Sequence, residues 1–268
     1  MRMYRHKFGR FPNLLAPRTY NEKMQLAKLT WRSPLLPVFV DKVRAKAFVA
    51  EHFGADLVTP NLYVGDNLPP RAERNWPLPY VIKVNHACKT NIFVRSQADI
   101  DWDAIEAKID RWLARAYGRR MGEWAYSLVP RKVLVEPFLG DPATTPAEFK
   151  FTTLGGKVAL ISATTDRYGQ RRAGHYDPEW RKLPVYFSPR PEPLDTPPPP
   201  QFERLKHIAE AFGERLPQVR LDFFVVDGQP RFSEITLYSG SGLAPIEPVE
   251  FDRELGDLWP RGKPADHW

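Results

Sequence analysis

The chain has a single cysteine, Cys88. That excludes an intrachain disulfide framework and a thiolate metal cluster. No apolar run is long enough to span a bilayer, and no apolar stretch of a secretion signal follows the basic start M-R-M-Y-R-H-K. A cytoplasmic location is the expectation, with peripheral association at the inner membrane face left open. Internal repeats are missing. So are a G-x-x-x-x-G-K-[ST] phosphate loop, an H-E-x-x-H helix and a G-x-S-x-G elbow. The six histidines are scattered without metal-ligand spacing. No block of like charge marks a nucleic-acid tail, and no basic strand is interleaved with aromatics, so nucleic acid is not an expected partner. Phosphate chemistry in this chain must rest on lysines, arginines, backbone amides and carboxylates.

What is present can build a real core. The chain has 268 residues, 43% of them apolar, enough for one large domain or two intimate lobes. A formal net charge of +7 favours anionic partners such as nucleotides and phosphosugars. Thr19-Tyr20-Asn21-Glu22 forms a capping-box pattern that opens a short helix through Trp31. A second helix is predicted over 38–53, ending at Gly54, and a strand over 57–64. Short strands follow at 80–85 and 91–95, an amphipathic helix at 101–117, and a strand at 132–139. Residues 149–154 and 157–164 read as a hairpin around Gly155-Gly156. The proline-rich segment 188–200 must be extended and irregular. An amphipathic helix over 201–216 precedes a last hairpin. Helices alternating with hairpins give an α+β architecture with largely antiparallel sheets.

The last hairpin, residues 219–242, reads V-R-L-D-F-F-V-V-D-G-Q-P-R-F-S-E-I-T-L-Y-S-G-S-G. Each strand carries one acid in an apolar run, Asp222 and Glu234. A three-residue turn, Asp227-Gly228-Gln229, places Asp222 across from Glu234, on one face with Phe224, Val226, Phe232 and Thr236. A two-residue turn pairs Asp222 with Ser233 and turns Glu234 to the other side. Two adjacent carboxylates repel, and a divalent cation resolves the repulsion; Mg²⁺ is commonly held by one or two carboxylates plus substrate phosphates. On its own the hairpin reads as an acid pair on a solvated sheet face. Lys83, in Tyr80-Val81-Ile82-Lys83-Val84-Asn85, reads on its own as an outward strand residue, and Lys42 as part of a solvated helix face. Val133-Leu134-Val135-Glu136-Pro137-Phe138-Leu139 is an apolar strand ending in an acid and an aromatic, a weak signal for a purine sandwich.

The order of these pieces is more specific than any of them. A D-K helix, an I-K strand, an E-x-F-L hinge, an R-x-D strand and an E-x-T followed by S-G-S-G occur in sequence. This order resembles the ATP-grasp superfamily of carboxylate–amine ligases. A closer resemblance is to the TupA-like ATP-grasp family of bacterial surface-polysaccharide and teichuronopeptide contexts. It rests on Lys7-Phe8-Gly9, Thr19-Tyr20-Asn21-Glu22-Lys23, Val40-Asp41-Lys42, Ile82-Lys83-Val84-Asn85-His86, Asn91-Ile92, Phe149-Lys150-Phe151, Asp166-Arg167, Tyr176-Asp177-Pro178-Glu179-Trp180 and the last hairpin. It spans roughly residues 7–259.

The resemblance implies an ATP-grasp fold, two lobes with ATP between them, after a short N-terminal helical segment. The boundaries expected are 1–37 for that segment, 38–135 for the N-lobe, 136–260 for the C-lobe and 261–268 for a tail. It implies ATP and Mg²⁺ as cofactors. Lys42 and Lys83 would bind phosphates, with the loop residues His86, Lys89, Thr90 and Asn91 and with Lys150. Glu136, Phe138 and Leu139 would sit at the adenine hinge. Asp222, Glu234 and Thr236 would hold the metal, and Arg220 would stabilise the transferring phosphoryl group. Ser239, Gly240 and Ser241 would line the acceptor pocket. Arg167, Arg171, Arg172, His175 and Tyr176 would clamp an anionic substrate, with Asp166 and His175 as candidate bases. Relatives usually carry a glycine-rich stretch close to G-S-G-G-N where this chain has Ala87-Cys88-Lys89-Thr90-Asn91. The implied activity is ADP-forming amide ligation of small or glycan-linked substrates. A sugar kinase and a non-catalytic ATP-grasp-like module are the alternatives.

Overall fold

The structure, a computed structural model, describes residues 1–142, 144–165 and 169–268. The chain opens with α1 (Arg2–Phe8) and α2 (Tyr20–Thr30). The capping box at α2 forms as the sequence predicts. The Glu22 N–H donates to Thr19 Oγ at 3.2 Å, and the Thr19 N–H donates to the Glu22 carboxylate at 3.3 Å. The single helix expected over 38–53 is two, α3 (Leu36–Val40) and α4 (Lys42–Phe53). Asp41 breaks it with an extended backbone and caps α4 by accepting from the N–H groups of Val43 and Arg44. The same carboxylate accepts from Asn85 Nδ2 at 2.9 Å, which ties the start of α4 to a loop of the first sheet. The strand expected over 57–64 is confined to β1 (Tyr63–Gly65), preceded by a 3₁₀ turn.

The smaller sheet is built from β1, β2 (Tyr80–Val84), β3 (Asn91–Val94) and, after helix α5 (Trp102–Ala114), β4 (Val133–Pro137). Its order is β1-β4-β2-β3, antiparallel throughout. The two-residue side-chain period decides its faces. Tyr80, Ile82, Val133 and Val135 point one way and form a compact core with Ile105 and Ile109 of α5. Val81, Lys83 and Glu136 point the other way, with Val81 directly opposite Glu136.

The remaining elements are β5 (Ala147–Leu154), β6 (Lys157–Thr165), β7 (Arg172–Tyr176), β8 (Tyr186–Phe187), β9 (Glu192–Pro193), α6 (Phe202–Gly213), β10 (Gln218–Val226), β11 (Gln229–Thr236), β12 (Ile246–Glu247) and α7 (Val249–Leu258). Six of the strands form the larger sheet, in the order β11-β10-β5-β6-β7-β9; β12 pairs with β8. The larger sheet is antiparallel except at β7 and β9. One face, carrying Phe149, Phe151, Leu221 and Phe223, packs on Leu205, Ile208 and Phe212 of α6. Each such side chain contributes about 1.5–3 kcal/mol by leaving water. Ala45 and Val49 of α4 join this larger core, although the sequence places that helix with the smaller lobe.

Helix α2 lies against α7, closing one end of the larger sheet. The approach needs Gly256: a Cβ there would sit 1.9 Å from the Arg18 carbonyl oxygen and 2.9 Å from the Thr19 carbonyl carbon. Gly256→Ala is therefore expected to destabilise the fold by about 3 kcal/mol, since backbone rather than a side chain must move. Gly262→Ala, whose Cβ would meet only Pro217 at 3.7 Å, is the neutral control. Urea unfolding of the two variants checks this, and equal midpoints would refute the packing argument.

Candidate active site

The hairpin turn is the two-residue one. Val226 pairs with Gln229 around Asp227 and Gly228, whose φ angles are +50° and +72°. Positive φ at both positions matches the right-handed twist of the strands. Continued without interruption, that register would place Ser233 opposite Asp222. A β-bulge intervenes between Asp222 and Phe223, so Phe223 pairs with Phe232 and Asp222 pairs with Glu234. The turn of one reading and the acid pair of the other thus coexist. The bulge also corrects the position of Phe232. Expected on the acid face, it faces the core at 2% exposure, edge-on to Phe223 at 6.2 Å.

Asp222 is fully buried and its charge is matched locally. Its carboxylate accepts from Arg220 Nε at 2.7 Å and Nη2 at 2.6 Å, and from Lys150 Nζ at 3.1 Å. Arg220 lies two residues away on the same strand face, and Lys150 is the cross-strand partner of Asp222. Lys150 also reaches Glu148 at 2.5 Å. Arg220 further donates to Thr236 Oγ at 3.0 Å and Ser239 Oγ at 2.8 Å. Burial pushes the Asp222 pKa up, but Arg220 and Lys150 outweigh it and hold the carboxyl below its ordinary value. Burial likewise opposes the Arg220 charge, and Asp222, Glu234 and Glu148 overcome it and raise the pKa. Thr236 Oγ donates to Glu234 Oε1 at 3.3 Å.

Asp222, Glu234 and Thr236 are hard oxygen donors on neighbouring strands, the chemistry that Mg²⁺ prefers. Among the described residues there is no cluster of three or more His, Cys, Asp or Glu side chains that could cage a metal. These donors suit an ion completed by phosphate oxygens, with Asp222 giving up a contact to Arg220 or Lys150 to reach it.

On the polar face of the smaller sheet, Lys83 pairs with the Glu136 carboxylate, and so does Lys46. Lys46 also donates to the Thr59 carbonyl at 2.7 Å and to Asn61 Oδ1 at 3.0 Å. It was missed in the sequence, where its only signal is a place one turn after Lys42 in α4. Lys42 itself donates to the Ala87 carbonyl at 2.6 Å, bracing the loop after β2. Glu136, read as a hinge acid, has both carboxylate oxygens engaged by lysines. A cavity of about 90 Å³ adjoins this triad, walled by Val81, Asn91, Phe93, Phe138 and Leu139 and closed by Glu148 and Phe224 of the larger sheet. Glu148 and Phe224 lie two residues from Lys150 and Asp222, on the same face, so the cavity opens along the acid-bearing strands.

Beyond them lies a larger cavity of about 390 Å³. Lys89, Lys150, Arg171, His175 and Arg220 all reach its wall, and no carboxylate does among the described residues. Ser162 Oγ lies 2.9 Å from His175 Nδ1, and burial, reinforced by Arg171, lowers the histidine pKa to about 4. Ser239 and Gly240 line the far end. Gly240 and Ser241 both adopt the left-handed conformation, which turns Ser241 inward. Its carbonyl accepts from Gln25 and Lys28, each at 2.9 Å.

Other expected site residues lie elsewhere. Tyr176 stacks on Trp180 at 4.3 Å within the core, on the opposite face from His175. Arg172 is also on that face and donates to the Pro193 carbonyl at 3.2 Å. Thr90 is buried and donates to the Ala87 carbonyl at 3.2 Å. His86 lines neither cavity and faces a third. Asp166 and Arg167 fall outside the described residues.

A family model described as TupA-like ATPgrasp matches residues 22–259. The chain belongs to the TupA-like ATP-grasp family. Its α+β fold is the ATP-grasp fold that the motif order implied. Among solved structures, it is similar to the D-alanine–D-alanine ligase of Bacillus anthracis, with 15% identity and a TM-score of 0.46 over 76% of this chain and 59% of that one. The ligase of Helicobacter pylori gives 17% and 0.44 over 83% and 62%. D-cycloserine synthetase DcsG gives 16% and 0.45 over 85% and 72%. The chain therefore spans about three fifths of the length of the two D-alanine–D-alanine ligases. No curated protein matches it.

In this TupA-like ATP-grasp protein the buried Glu136 yields a pH signature. Burial raises its pKa, but Lys83 and Lys46 carry it down to about 2 from 4.5. A depressed carboxylate pKa contributes stability that is complete above about pH 4.5 and is lost as pH falls through 2. Glu136→Gln strands two lysines and is expected to cost about 3–5 kcal/mol at pH 7. It should also flatten the acid limb of the stability profile between those pH values. Urea midpoints measured across this range check both effects, and an unchanged limb would refute the pairing.

Proposed function

We propose that the protein is an ATP- and Mg²⁺-dependent carboxylate–amine ligase that forms an amide through an acyl phosphate. Its substrates would be an amino acid, a uronic acid or an amino sugar of bacterial cell-surface polysaccharide synthesis. The observation that carries this reading is the pairing of Asp222 with Glu234 on one face, with Arg220 and Lys150 beside them. That face links an apolar, lysine-bearing cavity to a cationic one.

In this reading the small cavity takes the nucleotide base, with Phe138 and Leu139 against it and Lys83 aimed by Glu136 toward phosphate. Asp222, Glu234 and Thr236 would hold Mg²⁺, which would neutralise phosphate charge. Arg220 and Lys150 are fixed by Asp222, so they meet developing negative charge without reorganising. The substrate carboxylate lies in the cationic cavity and attacks the γ-phosphorus, releasing ADP. An amine then attacks the acyl carbon, phosphate leaves, and the amide forms. His175 is neutral at pH 7 and is placed to accept a hydrogen bond or a proton beside Arg171.

ADP release measured against a panel of amino acids, uronic acids and amino sugars tests the reading. The expected result is release that requires both an acid and an amine, with an amide product by mass. Asp222→Asn and Glu234→Gln should each lower kcat by about 10²-fold or more. A product carrying an added phosphoryl group on a hydroxyl would identify a sugar kinase instead. Failure to bind Mg-ATP in calorimetry would identify a non-catalytic module.

A further inference from the structure

The loop after β2 has a second side. Between it and the irregular segment 115–131 lies a cavity of about 250 Å³, walled by His86, Tyr117, Arg119, Trp124, Tyr126 and Arg131. One polar atom in this wall, Trp124 Nε1, is buried without a hydrogen-bond partner. His86 is 1% exposed. Its Nδ1 lies 3.4 Å from Asn85 Oδ1, and the ring also interacts with the Arg115 and Trp112 carbonyls as hydrogen-bond acceptors. Buried polar groups are normally satisfied, so an orphaned indole N–H in a cavity wall points to a missing partner. The wall also has a distinct chemistry. Tyr117 and Tyr126 meet edge to face at 4.9 Å, and Trp124 carries Arg32 over its ring at 5.1 Å. Arg119 and Arg131 supply positive charge; one Arg131 N–H is used on the Leu113 carbonyl at 2.6 Å. No carboxylate lines the cavity among the described residues, although Glu123 and Glu234 lie near enough to Tyr126 to raise its pKa.

We propose that this cavity is a second ligand site, for a small anionic ring compound such as a sugar acid or sugar phosphate. Its acidic group sits against Arg119 and Arg131, and its ring stacks on the aromatic wall and accepts from Trp124 Nε1. The wall is coupled to the active site through the loop after β2. The Tyr117 hydroxyl shares hydrogen bonds with Cys88. On the same loop, the Ala87 carbonyl accepts from Lys42, and Lys89 reaches the large cavity. A ligand that fixes the loop changes nucleotide affinity, and the nucleotide changes ligand affinity by the same factor. That coupling rests on the proposed nucleotide site; binding to the cavity does not.

The experiment is calorimetry on the full chain without nucleotide, using glucuronate, glucose 6-phosphate, inorganic phosphate and glucose as probes. Glucuronate against glucose 6-phosphate decides between carboxylate and phosphate. The expected result is binding of one anionic sugar, weakened about ten-fold in Arg119→Ala, partly restored in Arg119→Lys and abolished in Ser127→Trp, which fills the cavity. Arg171→Ala, in the larger cavity, should leave that affinity unchanged. The proposal is overturned by the absence of binding with every probe, or by equal affinity for glucose or inorganic phosphate. A loss of affinity in Arg171→Ala rather than in Arg119→Ala overturns it as well. Because no nucleotide is present, none of these outcomes depends on ligase activity.

Discussion

The burial of Asp222 is the constraint on which the site turns. A carboxylate taken out of water without compensation is prohibitively costly. Here the compensation is built into the larger sheet, with Arg220 on the same strand and Lys150 on the next. These two cations fix the face on which the acid points, and that face determines where Glu234 has to be. The bulge at Ser233 meets the requirement. It shifts the outgoing strand by one residue, so that Glu234 joins the acid face while Phe232 keeps its place in the core.

The smaller sheet solves the same problem in the same way. One carboxylate, Glu136, is held between two ammonium groups, Lys83 from its own sheet and Lys46 from α4. In both places a buried ion cluster leaves a cation at the edge of a cavity. Such clusters contribute little net stability compared with apolar packing, but removing one member is costly. Their effect is to hold side chains in one orientation, as a site for phosphate chemistry requires.

The apolar framework was the most legible part of the sequence. The capping box of α2, the helix α6 and the two long hairpins fall within a few residues of where periodicity and turn residues put them. These signals are local, so one chain segment suffices to read them. The break at Asp41 was hidden because the capping carboxylate is also held by Asn85, a residue more than forty positions away. Lys46 was hidden for a similar reason. A lysine in a helix reads as a solvated residue until a carboxylate from another sheet is brought against it. Tyr176 and Arg172 sit beside His175 in the sequence, but strand alternation sends them to the other face.

From its residues alone this chain determined the α+β class and the hairpins, because propensity and turn chemistry are written along the backbone. Tertiary structure alone decided which charged groups meet. Strand register, the bulge opposite Asp222 and the docking of α4 depend on contacts between distant segments, and a shift of one residue in a strand exchanges its two faces.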